Sequence, residues 1–119
     1  MSDPMSDPVP TSTNRSVQGR FVLGVDLGTG GPRVALAGTD GVLVGHEKES
    51  VDLRLLPGGG AEQDPDDWWR AIVAASLRLR ARHPEEYAQV TAICMSSQWG
   101  GLVPVDADGR HVHPALTWM

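Results

Sequence analysis

The amino-acid sequence predicts an α/β fold in which a mixed sheet carries one crossover helix. Three observations support it: two short apolar runs flank a glycine-rich turn, a long stretch shows helical spacing, and a further apolar run follows that stretch. Strands that alternate with a helix in this way are typical of α/β proteins. Because a helical crossover brings the next strand back into the same sheet, we expect the last strand to lie parallel to the first.

The first part of the fold is a predicted meander of three strands. Residues 21–25 form an apolar run, which is typical of a buried strand. Residues 33–37 predict a second strand, and the Thr-Asp-Gly sequence at 39–41 is a tight hairpin signal. Residues 42–53 predict the third strand, and the Pro-Gly-Gly-Gly sequence that begins at Pro57 predicts a flexible loop.

A helix is predicted to begin at Asp64 and to end at His83. Asp64 suits the N-cap and Pro65 the first helical position, and the two aspartates that follow favour the positive end of the helix dipole. The residues that follow at helical spacing are Trp69, Ile72, Val73, Ser76, Leu77 and Arg80. Residues 90–95 predict a strand, 96–101 a turn, 102–105 a strand, and 106–109 a turn into the final segment 111–119.

Composition limits the classes of protein and partner. The 119 residues are 40% hydrophobic and 21% charged, with a net charge of -5, as in a small globular domain. The sequence has no Lys/Arg cluster of the kind that binds a nucleic acid or an anionic membrane. It also has no apolar run long enough to span a bilayer. The single cysteine excludes an internal disulfide and fits a reducing compartment, so we expect a cytoplasmic protein.

Residues 1–19 are predicted to be a disordered N-terminal tail. They are rich in Ser, Asp, Pro and Thr and contain the sequence Met-Ser-Asp-Pro twice, so they bury too little apolar surface to offset their ordering entropy. The repeat also leaves open which methionine is the true start.

A glycine-rich turn, Asp-Leu-Gly-Thr-Gly-Gly at residues 26–31, is the first candidate site. It lacks the Gly-Lys-Ser/Thr ending of a P-loop, and Arg33 stands where a dinucleotide fingerprint needs its third glycine. Glycines let the backbone N–H groups approach phosphate oxygens, Thr29 can add a hydroxyl, and Arg33 a positive fork. Asp26 can hold Mg²⁺ through its water shell. The alternative is an ordinary hairpin with a glycine-rich bend.

This turn resembles the first phosphate motif of the actin, sugar-kinase and Hsp70 superfamily, in which Asp-x-Gly-Thr is followed by a basic residue four positions on. The resemblance places Asp26, Gly28, Thr29 and Arg33 around the phosphates and metal of ATP. It also implies a ribonuclease-H-like (actin-like ATPase) domain, of which this chain supplies the N-terminal portion only.

Two further stretches narrow the resemblance to the FGGY carbohydrate kinases. Residues 62–69, Glu-Gln-Asp-Pro-Asp-Asp-Trp-Trp, match that family's Glu-Gln-Asp-Pro-x-x-Trp-Trp signature. A structural role is favoured for them over substrate contact, with Trp68 and Trp69 anchoring the helix against the sheet. Residues 92–118 resemble the family's strand, Ser-Gln turn, Asp-x-x-Gly hairpin and Pro-Ala-x-x-Trp ending.

By this resemblance, Gln98 and Trp99 are candidate sugar contacts. An amide can bond hydroxyl groups, and an indole face can stack on the C–H surface of a sugar; local packing is the alternative for Trp99. Xylulokinase-like members usually carry Gln-Met-His-Gly here, whereas this chain has Gln-Trp-Gly-Gly. Gly100 offers no imidazole for a ketose hydroxyl. The substrate therefore stays open among sugars and polyols, with D-xylulose as one candidate.

The resemblance implies transfer of the γ-phosphoryl group of ATP to a sugar or polyol hydroxyl, with ATP and Mg²⁺ as the cofactors. Whether the longer protein forms a homodimer stays open. The family's catalytic aspartate, adenosine pocket and second lobe lie beyond Met119. We therefore expect no catalytic residue in this chain, and no sugar phosphorylation by the chain alone. Residues 20–119 are expected to be an incomplete N-terminal part of kinase domain I.

Two other interpretations stay open. One is a non-catalytic remnant or interaction module that keeps only the phosphate-cradle fold, and the other is a piece of an Hsp70- or actin-like ATPase. The sequence at 62–69 and the Ser-Gln-Trp turn argue against the second. Cys94 is expected to be a buried small side chain, and the histidines, His46, His83, His111 and His113, show no metal-ligand spacing with acidic partners.

Overall fold

The computed structural model describes residues 20–119, so the predicted disordered tail, residues 1–19, lies outside the described residues. The elements follow one another along the chain as β1 (Phe21–Gly28), β2 (Gly31–Gly38), β3 (Leu43–Lys48), β4 (Arg54–Leu55), β5 (Ala61–Gln63), α1 (Pro65–Arg82), α2 (Pro84–Tyr87), β6 (Val90–Ser97) and β7 (Ala115–Leu116). No helix in this part of the chain combines the length and apolar character needed to cross a membrane.

The main sheet has the strand order β3-β2-β1-β6. The first three strands pair antiparallel, whereas β6 pairs parallel to β1 after the crossover through α1. The predicted mixed sheet with a crossover helix is therefore confirmed. A second, smaller sheet has the order β4-β5-β7. It joins the stretch that precedes α1 to the last part of the chain.

The core lies between one face of the main sheet and α1. Because side chains alternate along a strand, Phe21, Leu23 and Val25 of β1 point to the same face as Val34 and Leu36 of β2, and all five are buried. Ala75 and Leu79 of α1 complete this cluster. On the opposite face of the sheet, the candidate phosphate residues Asp26 and Arg33 lie at the end next to the glycine-rich turn.

Helix α1 begins and ends as predicted, but Trp69 does not anchor it against the sheet. The side chain of Asp64 accepts the backbone N–H of Asp66 at 2.9 Å, which caps the helix. The buried residues are Ala71, Ala75 and Leu79, whereas Trp69, an expected anchor, is 65% exposed. The helix packs on β2 and β3, and the two small alanines let it approach the sheet, so the larger side chains remain on its flank.

Several predicted bounds were wrong. The third strand ends at Lys48, and the chain then leaves the main sheet, so residues 54–55 pair with β5 as part of the second sheet. Strand β5 and helix α2 were missed. Residues 102–105 form isolated bridges at Leu102 and Val105 and no strand.

Strand β6 is far more exposed than its apolar sequence indicated. Ile93 is 65% exposed and Met95 is 59% exposed, and Cys94 is exposed as well, so the expectation of a buried Cys94 was wrong. Strand β6 is exposed because it lies at one edge of the sheet, whereas α1 packs on β2 and β3 toward the opposite edge. An open apolar groove between α1 and β6 results, lined in part by Trp69, Ile93 and Met95.

Candidate functional site

The phosphate turn is a two-residue connection between β1 and β2. Gly28 pairs with Gly31 across the hairpin, so Thr29 and Gly30 form the loop. Gly31 has a φ of +118°, and a Cβ built there would lie 2.0 Å from the backbone oxygen of Glu49. Only glycine fits this close approach, which packs the turn against the chain that leaves β3.

A row of polar residues crosses the main sheet beside this turn. Asp26 is the cross-strand partner of Arg33, and Arg33 is in turn the partner of Lys48. On the other side, Asp26 is the partner of Ser96 in the parallel pairing, and the Ser96 hydroxyl donates to its Oδ1 at 2.8 Å. Because the flanking residues of β1 and β2 are buried under α1, this row faces away from the core.

Lys48 and Ser96 are candidate site residues that sequence reasoning missed. Their place depends on strand register, which no local motif reveals. Like charges directly opposite each other on neighbouring strands repel, so Arg33 and Lys48 favour an anion between them. Asp26 adds carboxylate oxygen, the type of ligand that Mg²⁺ prefers. The row therefore suits a metal–phosphate group.

Thr29 is held through both its backbone and its side chain. Its carbonyl oxygen accepts a hydrogen bond from Nε2 of Gln63 at 2.8 Å, and its Oγ1 accepts one from the indole Nε1 of Trp118 at 3.0 Å. An indole N–H can only donate, so the Thr29 hydroxyl is an acceptor in that contact. Its own hydrogen remains available to donate to a phosphate oxygen.

The candidate sugar turn meets the phosphate turn at Gln63. Nε2 of Gln98 donates to Oε1 of Gln63 at 2.8 Å, and the Trp68 indole donates to the same oxygen at 3.1 Å. Gln63 is only 3% exposed and was not predicted as a site residue. Trp99, by contrast, is 84% exposed.

A separate polar cluster joins the last part of the chain to the start of α1. Nε2 of His111 lies 3.3 Å from Oδ2 of Asp66 and 3.7 Å from Oδ1 of Asp64. The hydrogen bond with Asp66 raises the pKa of His111. Sequence spacing did not reveal this group of three residues with metal-ligand side chains. Because Oδ1 of Asp64 already accepts the capping N–H of Asp66, we interpret the cluster as an ion pair.

The antiparallel hairpin, crossover helix and parallel strand form the fold of the actin-like ATPase class, as seen in sugar kinases. Within that class, residues 21–119 match the N-terminal domain of the FGGY family of carbohydrate kinases. The chain belongs to this family.

Individual relatives agree. The chain is 32% identical over 96 residues to the xylulose kinase of Escherichia coli (strain K12), covering 81% of this chain and 19% of that kinase. It is 26% identical over 98 residues to the gluconokinase of Bacillus subtilis (strain 168), covering 82% and 19%. The crystal structure of a xyloylose kinase from Brucella ovis matches with a TM-score of 0.80 at 36% identity, over 82% of this chain and 21% of that one. The chain thus spans about a fifth of the length of these relatives.

Proposed function

We propose that this chain supplies the phosphate turn and one wall of the sugar site of an ATP-dependent carbohydrate kinase. The observation that carries the proposal is the position of Gln63, whose side chain bonds Thr29 at 2.8 Å and Gln98 at 2.8 Å. Phosphoryl transfer needs donor and acceptor groups held close together in a fixed geometry. A single buried amide that contacts both candidate turns meets this need.

Each residue of the site has a distinct task in this proposal. The turn from Gly28 to Gly31 lets backbone donors and the Thr29 hydroxyl approach phosphate oxygens, and Arg33 neutralises their charge, with Lys48 beside it. Asp26, held by Ser96, would hold Mg²⁺ through its water shell, and the metal would neutralise the charge of the transferring group. The base that accepts the hydroxyl proton is expected outside this chain.

For the acceptor, we propose a sugar or polyol. The named relatives are kinases of xylulose and of gluconate, both with several hydroxyl groups. The amide of Gln98 suits hydroxyl groups, and the exposed indole of Trp99 suits the C–H face of such a molecule. Neither residue selects one sugar, so D-xylulose and D-gluconate are the first two candidates.

The phosphate turn can be tested directly by NMR on the ¹⁵N-labelled chain. Mg²⁺ and inorganic triphosphate are expected to shift the amide signals of Gly28, Thr29 and Gly30 at concentrations up to about 10 mM, as for a weak partial site. Gly109, in a hairpin turn on another part of the molecule, is the internal control and should not shift. Shifts at Gly109 alone, or no shift at the turn, would contradict the proposal.

Sugar phosphorylation by the chain alone is not expected. The purified chain, supplied with ATP, Mg²⁺ and either D-xylulose or D-gluconate, should form no sugar phosphate above a protein-free blank. Product that depends on both ATP and the chain would overturn this expectation.

The coding sequence after Met119 separates a kinase from a remnant. An in-frame Asp-x-Arg followed by a later catalytic aspartate supports the kinase, and an immediate stop codon supports the remnant.

A further inference from the structure

The orientation of two glutamine amides follows from one indole group. An amide can be turned end over end without changing its shape, so its orientation has to be inferred from its partners. The Trp68 indole can only donate, and it lies 3.1 Å from one end of the Gln63 amide. That end is therefore the oxygen, Oε1. The other end is the Nε2 group, which agrees with its 2.8 Å contact to the carbonyl oxygen of Thr29.

The same reasoning extends to Gln98. The end of its amide that lies 2.8 Å from Oε1 of Gln63 has to be the donor, Nε2. Its Oε1 then points away and is a buried side-chain atom without a hydrogen-bond partner among residues 20–119. A buried acceptor left unpaired is unfavourable, and a group with a hydrogen to donate removes that cost.

The surrounding turn is able to admit such a group. Trp99, Gly100 and Gly101, which follow Gln98, are all exposed. We expect a small displacement of this exposed turn to give a hydroxyl access to Oε1 while the bond between Gln98 and Gln63 is kept. The unpaired atom is thus an acceptor that a donating group would satisfy.

We propose that Gln63 is a positioning residue, which presents Oε1 of Gln98 to a donating hydroxyl group and holds the sugar turn and the phosphate turn at a fixed separation. The nature of the ligand rests on the proposed function, whereas the amide orientations and the coupling between the turns do not. Gln63 selects hydroxyl groups through Gln98 and does not itself contact the ligand.

Two substitutions at Gln63 separate its donor contact with Thr29 from its acceptor contacts. Gln63→Met removes the acceptor and the donor at similar volume, and Gln63→Glu keeps an acceptor but removes the donor to Thr29. Gln89→Met is the matched control, because the Gln89 amide also donates to a backbone carbonyl, that of Glu85 at 3.0 Å, but lies outside the site. The readouts in the ¹⁵N-labelled chain are hydrogen exchange of the Gln98 side-chain amide and the Trp118 indole signal, which reports on Thr29.

In Gln63→Met, exchange at the Gln98 amide should become about tenfold faster, as expected for one lost hydrogen bond, and the Trp118 signal should shift. Gln63→Glu should shift Trp118 while Gln98 keeps its slow exchange, a split that general destabilisation does not produce. Gln89→Met should change neither readout. Equal changes in all three variants, or an unprotected Gln98 amide in the unsubstituted chain, would overturn the proposal. No readout uses nucleotide or sugar, so failure of the kinase proposal is recognised separately.

Discussion

Two neighbouring glycines at the phosphate turn have different reasons to be glycine. Gly31 has a φ of +118°, and an added Cβ would lie 2.0 Å from the carbonyl oxygen of Glu49. At Gly30, an added Cβ would meet nothing within 4 Å. The sequence shows two equivalent glycines, but in the structure only Gly31 is required for packing, whereas Gly30 has open space around it.

Gly31→Ala should therefore destabilise the chain by about 2 kcal/mol or more, since the added methyl group meets backbone that cannot rotate away. Gly30→Ala, its matched control, should change the free energy of unfolding by less than about 1 kcal/mol. Urea unfolding of both variants, followed by circular dichroism, measures the difference. Equal losses in the two variants would show that the turn is not packed against Glu49 as described.

At the scale of elements, local signals were predictable and non-local ones were not. The start of α1 was predicted because Asp64 and Pro65 act within one helical turn. The buried face of α1 was not, because it depends on which strands lie beneath it, and Trp69 consequently remained outside. In the site, Asp26 belongs to a contiguous motif, whereas Lys48 joins it only through strand register.

An ion-pair cluster clamps α1 to β3. Nε of Arg78 donates to Oε2 of Glu47 at 2.9 Å, and Arg82 bonds the other oxygen of the same carboxylate. The hydrogen bond from Arg78 is the main cause that lowers the pKa of Glu47 below its ordinary value of 4.5. Glu47 is largely buried. These ion pairs therefore hold the helix over the sheet next to Lys48, a member of the row of polar residues.

The clamp makes stability depend on pH in acid. Because the pKa of Glu47 is lower in the folded chain, its contribution is present above the ordinary pKa and is lost as the pH falls from about 4.5 through the folded value. Glu47→Gln should remove this part of the pH dependence, and Glu85→Gln, on the exposed side of α2, should not. Urea unfolding between about pH 3 and 6 is the measurement, and an unchanged slope for Glu47→Gln would contradict the account.

On the scale of the whole sheet, the face that meets α1 is packed at β1 and β2 but open at the edge strand β6. Leu36 is completely buried in β2, whereas Ile93 in β6 is 65% exposed beside the apolar groove. Apolar side chains collected on one open face are typical of a surface that another part of a protein covers. Relatives about four times as long as this chain have the additional length for such a cover.

Matched truncations test this asymmetry. Leu36→Ala should cost about 2–5 kcal/mol in the isolated chain, as for a core residue, and Ile93→Ala should stay within about 0.5 kcal/mol, as for a surface residue. Both follow from urea unfolding of the 119-residue chain. A cost at Ile93 comparable to that at Leu36 would show that β6 is covered in the isolated chain.

The central claim is that residues 21–119 form the phosphate turn and one wall of the sugar site of a carbohydrate kinase. The most direct measurement is ATP-dependent phosphorylation of D-xylulose and D-gluconate by a chimera in which residues 21–119 replace the aligned segment of the Escherichia coli xylulose kinase, with the unmodified kinase as the control. We predict product from at least one of the two sugars, and a kcat/KM at least about tenfold lower when the chimera carries Arg33→Ala. A folded chimera that forms no product, or one whose activity is indifferent to Arg33→Ala, would contradict the claim.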